Sequence, residues 1–328
     1  MQDTLISVSN LTKWFPSRER GGKPVQAVTD VSFDLKRGEV LGLVGESGSG
    51  KSTIGQSIIR LHKPDSGRID IDGIDFAGAS ERALRRHRKL IQMVFQDPSS
   101  SLNPRIRIGD VLLEALAIHG IGSTRQERRK RVAELLDMIG FSPDFAQRYP
   151  HQLSGGQRQR VGIARALAVE PKALIADEAV SALDVSIQAQ IIQLLAELRR
   201  KLSFTLIFIS HDMNVVEYIS DRVAVLYLGR IVEMGPARDI FKRPRHPYTE
   251  ALLSAIPDPS SRKRERIILQ GDIPNPSNPP SGCVFRTRCR HAVERCATTV
   301  PPLAQVLPGH QSACIRQELY QNDMGQRS

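Results

Sequence analysis

Residues Gly45-Glu46-Ser47-Gly48-Ser49-Gly50-Lys51-Ser52 fit the pattern GxxxxGK[ST] and directly follow the apolar run Val40-Leu41-Gly42-Leu43-Val44. No other feature constrains the chain as tightly, because the pattern works only where a strand, a glycine-rich turn and a helix succeed one another. The glycines let backbone N–H groups turn inward around phosphates, and a helix starting near Lys51 aims its positive dipole end at the same anion. Lys51 is then expected to reach the β and γ phosphates and Ser52 to place its hydroxyl on Mg²⁺, while Thr53 bonds a phosphate or caps the helix. The plain alternative, a glycine-rich turn without chemical meaning, is disfavoured by the order in which strand, loop and apolar helix arrive.

A phosphate loop alone leaves kinases, GTPases and many other NTPases open. The run Lys172-Ala173-Leu174-Ile175-Ala176-Asp177-Glu178 reads as a short apolar strand ending in two adjacent carboxylates, a Walker B element. Two acids can divide the labour there: Asp177 holding Mg²⁺, Glu178 polarising the attacking water as general base. Acid pairs are common in surface turns, but one that closes an apolar strand in a chain with a phosphate loop is rarely accidental.

Composition narrows the remaining classes. A chain of 328 residues can bury a large core, and with 40% apolar residues it is not disordered throughout. No apolar run approaches the roughly 18 to 20 residues of a membrane-spanning helix. The start, Met1-Gln2-Asp3-Thr4, lacks a basic segment followed by an apolar core, so no secretory signal is read and a cytosolic home is expected. A net charge of +11, with clusters at Arg82 to Lys89 and Arg125 to Arg131, raises nucleic acid as a partner. Solvated helix faces explain the clusters more simply, since the second runs into Val132, Leu135, Leu136 and Ile139 at helical spacing. From about residue 40 to 235 short apolar runs alternate with amphipathic segments, as in an α/β domain. Beyond Gly235 the texture changes: eleven of the 20 prolines lie between Pro244 and Pro308, and all 4 cysteines between Cys283 and Cys314, which predicts a loop-rich appendage.

Between the phosphate loop and the acid pair stands Leu153-Ser154-Gly155-Gly156-Gln157, and with it the chain resembles the ABC ATPases, whose signature is LSGGQ. Its physics is a second helix N-terminus that offers backbone N–H groups to an anion. The resemblance implies that this segment faces the γ-phosphate held by a partner subunit, so that ATP is sandwiched between two chains. It also implies a P-loop NTPase fold of α/β class, with a RecA-like core, an antiparallel β subdomain and a helical subdomain. By the same resemblance Gln96 is the Q-loop glutamine, a catalytic and Mg²⁺-contacting amide, and Asp184, in Ser181-Ala182-Leu183-Asp184, is the D-loop acid. His211, after the apolar run Leu206-Ile207-Phe208-Ile209, is the switch histidine that bonds the γ-phosphate. Phe15 resembles the aromatic that stacks on adenine, with Trp14 as rival and a core role as the alternative for both. The family commonly continues the acid pair with Pro-Thr; this chain has Ala179-Val180, which removes a rigid turn residue and a hydroxyl but keeps both acids. The Q-loop region, Asp97 to Arg107, is expected to seat a short helix of a membrane partner, with Leu102 as an exposed apolar contact.

Arg245-His246-Pro247-Tyr248-Thr249 followed by Ala251-Leu252-Leu253 narrows the resemblance to the oligopeptide and dipeptide importer ATPases. That divides the chain into an ATP-binding domain, 1–243, and an extension, 244–328. It implies peptide cargo first, with nickel, opines or modified sugars in related importers. The implied partners are a second ATP-binding subunit, identical or a sister, two transmembrane permease subunits and an extracytoplasmic substrate-binding protein, without nucleic acid, at the cytoplasmic face of the inner membrane. Cys283, Cys289, Cys296 and Cys314 suit metal better than disulfides in a cytosolic chain. Their residue types leave structural Zn²⁺, a [4Fe–4S] cluster and packed reduced thiols open, although CxxC pairs are absent and Arg286, Arg288, Arg290 and Arg295 interleave with them. The importer resemblance implies the [4Fe–4S] cluster. ATP and Mg²⁺ complete the expected cofactors, and a non-transport ABC ATPase or a free-standing kinase is the alternative.

Overall fold

The computed structural model describes residues 4–17, 21–97, 102–181, 183–256 and 266–324. They form two compact units, one from 1–6, 35–40 and 70–210, the other from 7–34, 41–69 and 211–328.

In the first unit three parallel strands lie side by side: β6 (Ile91–Val94), β7 (Ala173–Asp177) and β8 (Thr205–Ile209). Ile91 pairs with Ala173 and Ala173 with Thr205. Every residue of β7 and β8 is buried, which is why these strands read as unbroken apolar runs instead of alternating ones. The end of β4 (Ser66–Ile71) turns back through Asp72 and Gly73, both at positive φ, into the two-residue strand β5 (Ile74–Asp75).

Helices supply a second core. α3 (Ile108–Ile118), α4 (Arg125–Met138) and α5 (Gly155–Leu167) enclose Ile108, Leu112, Leu116, Leu135, Leu136 and Val161. α4 begins at a capping box in which Thr124 Oγ1 accepts from the Glu127 N–H and Glu127 Oε2 from the Thr124 N–H. The basic runs fall on the exposed faces of α4 and of α2 (Glu81–His87), as expected for solvated surfaces. Leu102 contradicts its expected exposure: it is 2% exposed and belongs to this core beside Ile108 and Leu112. An isolated leucine among turn residues gave no periodicity from which its burial could be read. Residues 98–101 of the same segment lie outside the described residues. α6 (Val185–Leu202) completes the unit, burying Ile191, Leu195 and Leu198 on one stripe.

The second unit contains most of β1 (Thr4–Phe15) and β2 (Val25–Lys36), which are neighbours. Its larger sheet runs in the order β3 (Val40–Val44), β9 (Arg222–Tyr227), β10 (Arg230–Pro236), β12 (His310–Ser312), β11 (Ala304–Leu307). β3 and β9 are parallel and the later pairs antiparallel. Residues after 300 therefore extend the sheet instead of forming only loops. A buried hydrogen-bonded contact pins that addition: His310 Nε2 lies 2.7 Å from Glu233 Oε1, both side chains fully buried, and the same oxygen accepts from the Arg245 N–H at 2.6 Å. Helices α1 (Lys51–Ile58), α7 (Met213–Ile219), α8 (Ala237–Lys242), α9 (Pro247–Ser254) and α10 (Arg295–Thr298) complete the unit. Burial holds His246 neutral, its pKa pushed down to about 3, and its Nδ1 accepts the Tyr248 N–H at the start of α9.

Candidate nucleotide site and cysteine site

β3 ends at Val44, and the loop that follows needs glycine at two positions for different neighbours. At Gly45, φ +150, a Cβ would lie 2.2 Å from the Leu226 carbonyl oxygen; at Gly50, φ +101, it would lie 2.2 Å from the Ala27 carbonyl oxygen. The loop is thus wrapped closely by backbone, which leaves Gly50 to cap α1 with Lys51 as its first residue. Lys51 is 4% exposed, and its ammonium donates to Gly45 O at 2.9 Å and Glu46 O at 3.0 Å. The Ser49 N–H also donates to Glu46 O, so one carbonyl takes hydrogen bonds from two loop residues. No acidic side chain occupies the first turn of α1, so the positive end of its dipole is not offset from within that turn. Ser52 and Thr53 are half-buried at the helix start; Ser47 is exposed beside Gly48, whose φ is +76.

Phe15 ends β1 half-buried, its ring edge-on to His62 at 5.0 Å with Lys13 Nζ 5.4 Å from its centroid. Trp14 is 39% exposed and donates its indole N–H to Thr29 Oγ1 at 3.1 Å. His211 is exposed just ahead of α7, whose N-terminus Asp212 caps by accepting from the Asn214 and Val215 N–H groups.

The first unit carries the carboxylates. Asp177 closes β7 and is 3% exposed. Glu178 follows with φ +44, a left-handed conformation that costs a non-glycine residue about 1–2 kcal/mol. Two backbone hydrogen bonds hold it there: its N–H donates to Ile209 O at 3.0 Å, and its carbonyl accepts the Ser181 N–H at 3.0 Å. Its carboxylate meets Gln96, whose amide donates to Glu178 Oε2 at 2.9 Å. Ala179 and Val180 are buried at 2% and 1%, so packing and the Ser181 hydrogen bonds close this turn where the family commonly has proline. As a set, Asp177 and Gln96 offer the hard oxygen donors that Mg²⁺ takes.

The signature segment forms the start of α5. Ser154 accepts from the Gln157 N–H at 3.3 Å while Gln157 Oε1 accepts from the Ser154 N–H at 3.0 Å. Leu153 is buried at 5%, anchoring the approach to the helix. Gly155 and Gly156 have packing duties too, for a Cβ at Gly156 would lie 2.4 Å from Ile187 Cγ2, and one at Gly155 3.2 Å from Leu183 Cδ2. Asp184 is the exposed N-cap of α6, without a side-chain hydrogen bond to that helix; Ala182 lies outside the described residues.

Cys283, Cys289, Cys296 and Cys314 all line one small cavity, together with His246, Phe285 and Arg316. The chain is folded tightly around it: the Cys283 N–H donates to Cys296 O at 2.8 Å. Burial raises the Cys283 and Cys289 thiols, and pushes Cys314 up to about 12, with its three neighbouring thiols adding to the effect. Among the described residues no group of three or more His, Cys, Asp or Glu side chains is arranged to hold a metal ion. The four thiols share the cavity without that arrangement, and what they have in common with a [4Fe–4S] site is the ligand type, four cysteines.

Comparison with known proteins decides the family. Residues 28–181 match the ABC transporter family, and residues 232–296 match the oligopeptide/dipeptide transporter C-terminal region. The chain belongs to the oligopeptide/dipeptide importer family of ABC transporter ATP-binding subunits. A putative peptide import ATP-binding protein of Brucella ovis is 56% identical over 316 residues, 96% of this chain and 98% of its own length. The oligopeptide transport ATP-binding protein AppF of Bacillus subtilis is 50% identical over 321 residues, 95% of this chain and 97% of its own. Among solved structures, the dimeric ATP-binding cassette MJ0796, in a post-hydrolysis state bound to ADP and Pi, is similar at TM-score 0.64 and 34% identity, covering 71% of this chain and 99% of that one. The chain is accordingly an ATPase of the ABC class with the cassette fold expected from its sequence. Among the described residues no helix is long and apolar enough to cross a membrane.

Sequence reasoning missed two residues at the phosphate loop. Tyr248 accepts the Glu46 N–H at 2.9 Å, and Arg288 grips the Glu46 carboxylate with both terminal nitrogens, at 2.7 and 3.1 Å. Both are separated from Glu46 by some two hundred residues of sequence, and nothing in their local spacing points to it.

Proposed function

We propose that this chain is the motor subunit of an importer of di- and oligopeptides, working at the cytoplasmic face of the inner membrane as a peripheral protein. The observation that carries the reading is the pairing of an ABC cassette with an extension that matches the oligopeptide/dipeptide transporter region, in a chain half or more identical to peptide-import relatives. Residues 1–243 are the ATP-binding domain and 244–328 the extension. Its partners are a second ATP-binding subunit, two permease subunits and an extracytoplasmic binding protein.

In this mechanism the loop from Gly45 to Ser52 cradles the phosphates, Lys51 balances the β and γ charge, and Phe15 stacks on the base. Ser52, Asp177 and Gln96 would hold Mg²⁺, which supplies charge neutralisation at the β and γ oxygens. Glu178 takes a proton from water as it attacks, and His211 fixes the γ-phosphoryl. Ser154 and the N-terminus of α5 face the partner's nucleotide, so ATP favours the closed dimer and its cleavage releases it. Asp184 reports the partner's site. Most of the rate enhancement comes from positioning and charge stabilisation, since phosphoryl transfer asks little covalent chemistry of the protein.

Uptake of labelled di- and tripeptides by cells deleted for this chain tests the reading. Complementation by wild type but not by Glu178→Gln supports it; equal uptake in all strains, in a host without a second peptide importer, removes peptides as cargo. Cys283, Cys289, Cys296 and Cys314 are the proposed ligands of the [4Fe–4S] cluster. Protein purified without oxygen is expected to carry iron and acid-labile sulfide in equal amounts, and zinc without iron would refute the cluster.

A further inference from the structure

Glu46 is held at every polar group it has. Its N–H goes to Tyr248 Oη, its carbonyl takes Lys51 Nζ and the Ser49 N–H, and its carboxylate is clamped by Arg288. Two of these holds come from the extension. Arg288 sits in the seven-residue stretch Cys283-Val284-Phe285-Arg286-Thr287-Arg288-Cys289, bounded at both ends by cysteines of the thiol cavity. That stretch is short and internally hydrogen-bonded, the Arg286 N–H donating to Cys283 O at 3.1 Å and the Arg288 N–H to Phe285 O at 3.0 Å. Phe285, 1% exposed, packs on Tyr248 and on Tyr227 at 5.2 Å from each.

We infer that Arg288 is a positioning residue for the phosphate loop, and that the Cys283–Cys289 stretch is a brace through which the condition of the cysteine site sets nucleotide affinity. A bidentate guanidinium–carboxylate pair fixes direction as well as distance, and here the arginine side chain is only 8% exposed, so solvent screens it little. The clamped residue shares its carbonyl with Lys51, the cation that meets the phosphates, so a shift of Glu46 displaces the ammonium. Because Arg288 is the immediate neighbour of Cys289, any rearrangement of that cysteine reaches Glu46 across one peptide bond and one side chain. The inference rests on the reading of Gly45 to Ser52 as the phosphate site.

Equilibrium titration of the full-length protein with a fluorescent ATP analogue tests it, alongside steady-state kinetics and thermal unfolding. Arg288→Gln is expected to weaken nucleotide binding about tenfold, raising KM for ATP with kcat within about twofold, and to lower the unfolding midpoint because Glu46 loses its largely buried partner. Glu46→Gln should do the same and the double variant no more, while Arg288→Lys, which keeps the charge but not the fork, falls between. Cys289→Ser should weaken binding in the wild-type background and add nothing to Arg288→Gln. Unchanged affinity in both Arg288→Gln and Glu46→Gln overturns the positioning role, as does a loss confined to kcat. If Arg288→Gln is poorly folded, Glu46→Gln decides alone. Unchanged affinity in Cys289→Ser overturns the coupling to the cysteine site. Lys51→Ala separates the two levels: if it binds nucleotide as wild type does, the phosphate-site reading fails, and if it does not, the result for Arg288 stands by itself.

Discussion

Replacing Glu178 with Gln lowers steady-state ATP hydrolysis by about 10²–10³-fold and leaves ATP affinity close to that of the wild type. The substitution keeps the size of the side chain and its capacity to meet the Gln96 amide, but removes the group that takes a proton from water. Binding is spared because the phosphate loop and Lys51 belong to a different stretch of chain, held by its own contacts. Stability should also be spared. The positive φ of Glu178 and the hydrogen bonds of its backbone to Ile209 and Ser181 make no use of the carboxylate. Gln is no worse than Glu in that conformation, so the strain is the same in both proteins. Hydrolysis within about threefold of wild type would sink the assignment of Glu178 as general base. A fall in turnover matched by an equal fall in ATP affinity would mean that the side chain shapes the nucleotide site instead. Ala179 and Val180 bear on the wild-type rate, and their burial gives the turn a fixed shape without proline, consistent with an active enzyme.

How much of this was legible beforehand depends on whether the physics is local. The phosphate loop, the acid pair and the signature could be read because each requirement is met within a few residues: glycines where backbone approaches, an acid at a strand end, a serine and a glutamine capping a helix. The buried strands β7 and β8 were legible for the same reason, as unbroken apolar runs. Leu102 was not, because a single leucine between turn residues carries no period, and only the packing of α3 and its neighbours decides that it is inside. The extension was read as loops from its prolines, yet His310 to Ser312 joins the sheet through a buried pairing with Glu233 that no spacing encodes. Tyr248 and Arg288 illustrate the general case. The sequence marks the first as part of a family motif and the second as one arginine among several near cysteines, whereas their hold on Glu46 exists only in three dimensions. The cysteines stand between these cases: their number and spacing indicated a shared site, and the cavity brings all four to it, but spacing could not say what fills it.

Gly50→Ala is expected to destabilise the protein by on the order of 3–5 kcal/mol and to abolish measurable ATP binding, while Gly48→Ala costs about 1 kcal/mol and weakens binding only slightly. Both glycines have positive φ, +101 at Gly50 and +76 at Gly48, so both alanines carry conformational strain. What separates them is space. A Cβ at Gly48 meets nothing within 4 Å, whereas at Gly50 it lies 2.2 Å from the Ala27 carbonyl oxygen and 3.4 Å from the Gly229 Cα. Those neighbours are backbone, and they are tied to one another, since the Thr29 N–H donates to Gly229 O at 2.8 Å and the Gly229 N–H to Ser49 O at 3.0 Å. No side chain can rotate away to relieve the overlap, so either β2 or the phosphate loop must move. The loop is the weaker of the two, being a run of glycine and serine, and its movement carries Lys51 and the first N–H groups of α1 out of position. Denaturant unfolding and nucleotide titration of the two variants read these effects separately. Equal losses at both positions would mean that conformational strain alone sets the tolerance of the loop, and that the close wrapping of its backbone by Ala27 and Gly229 is not what holds the phosphate site in shape.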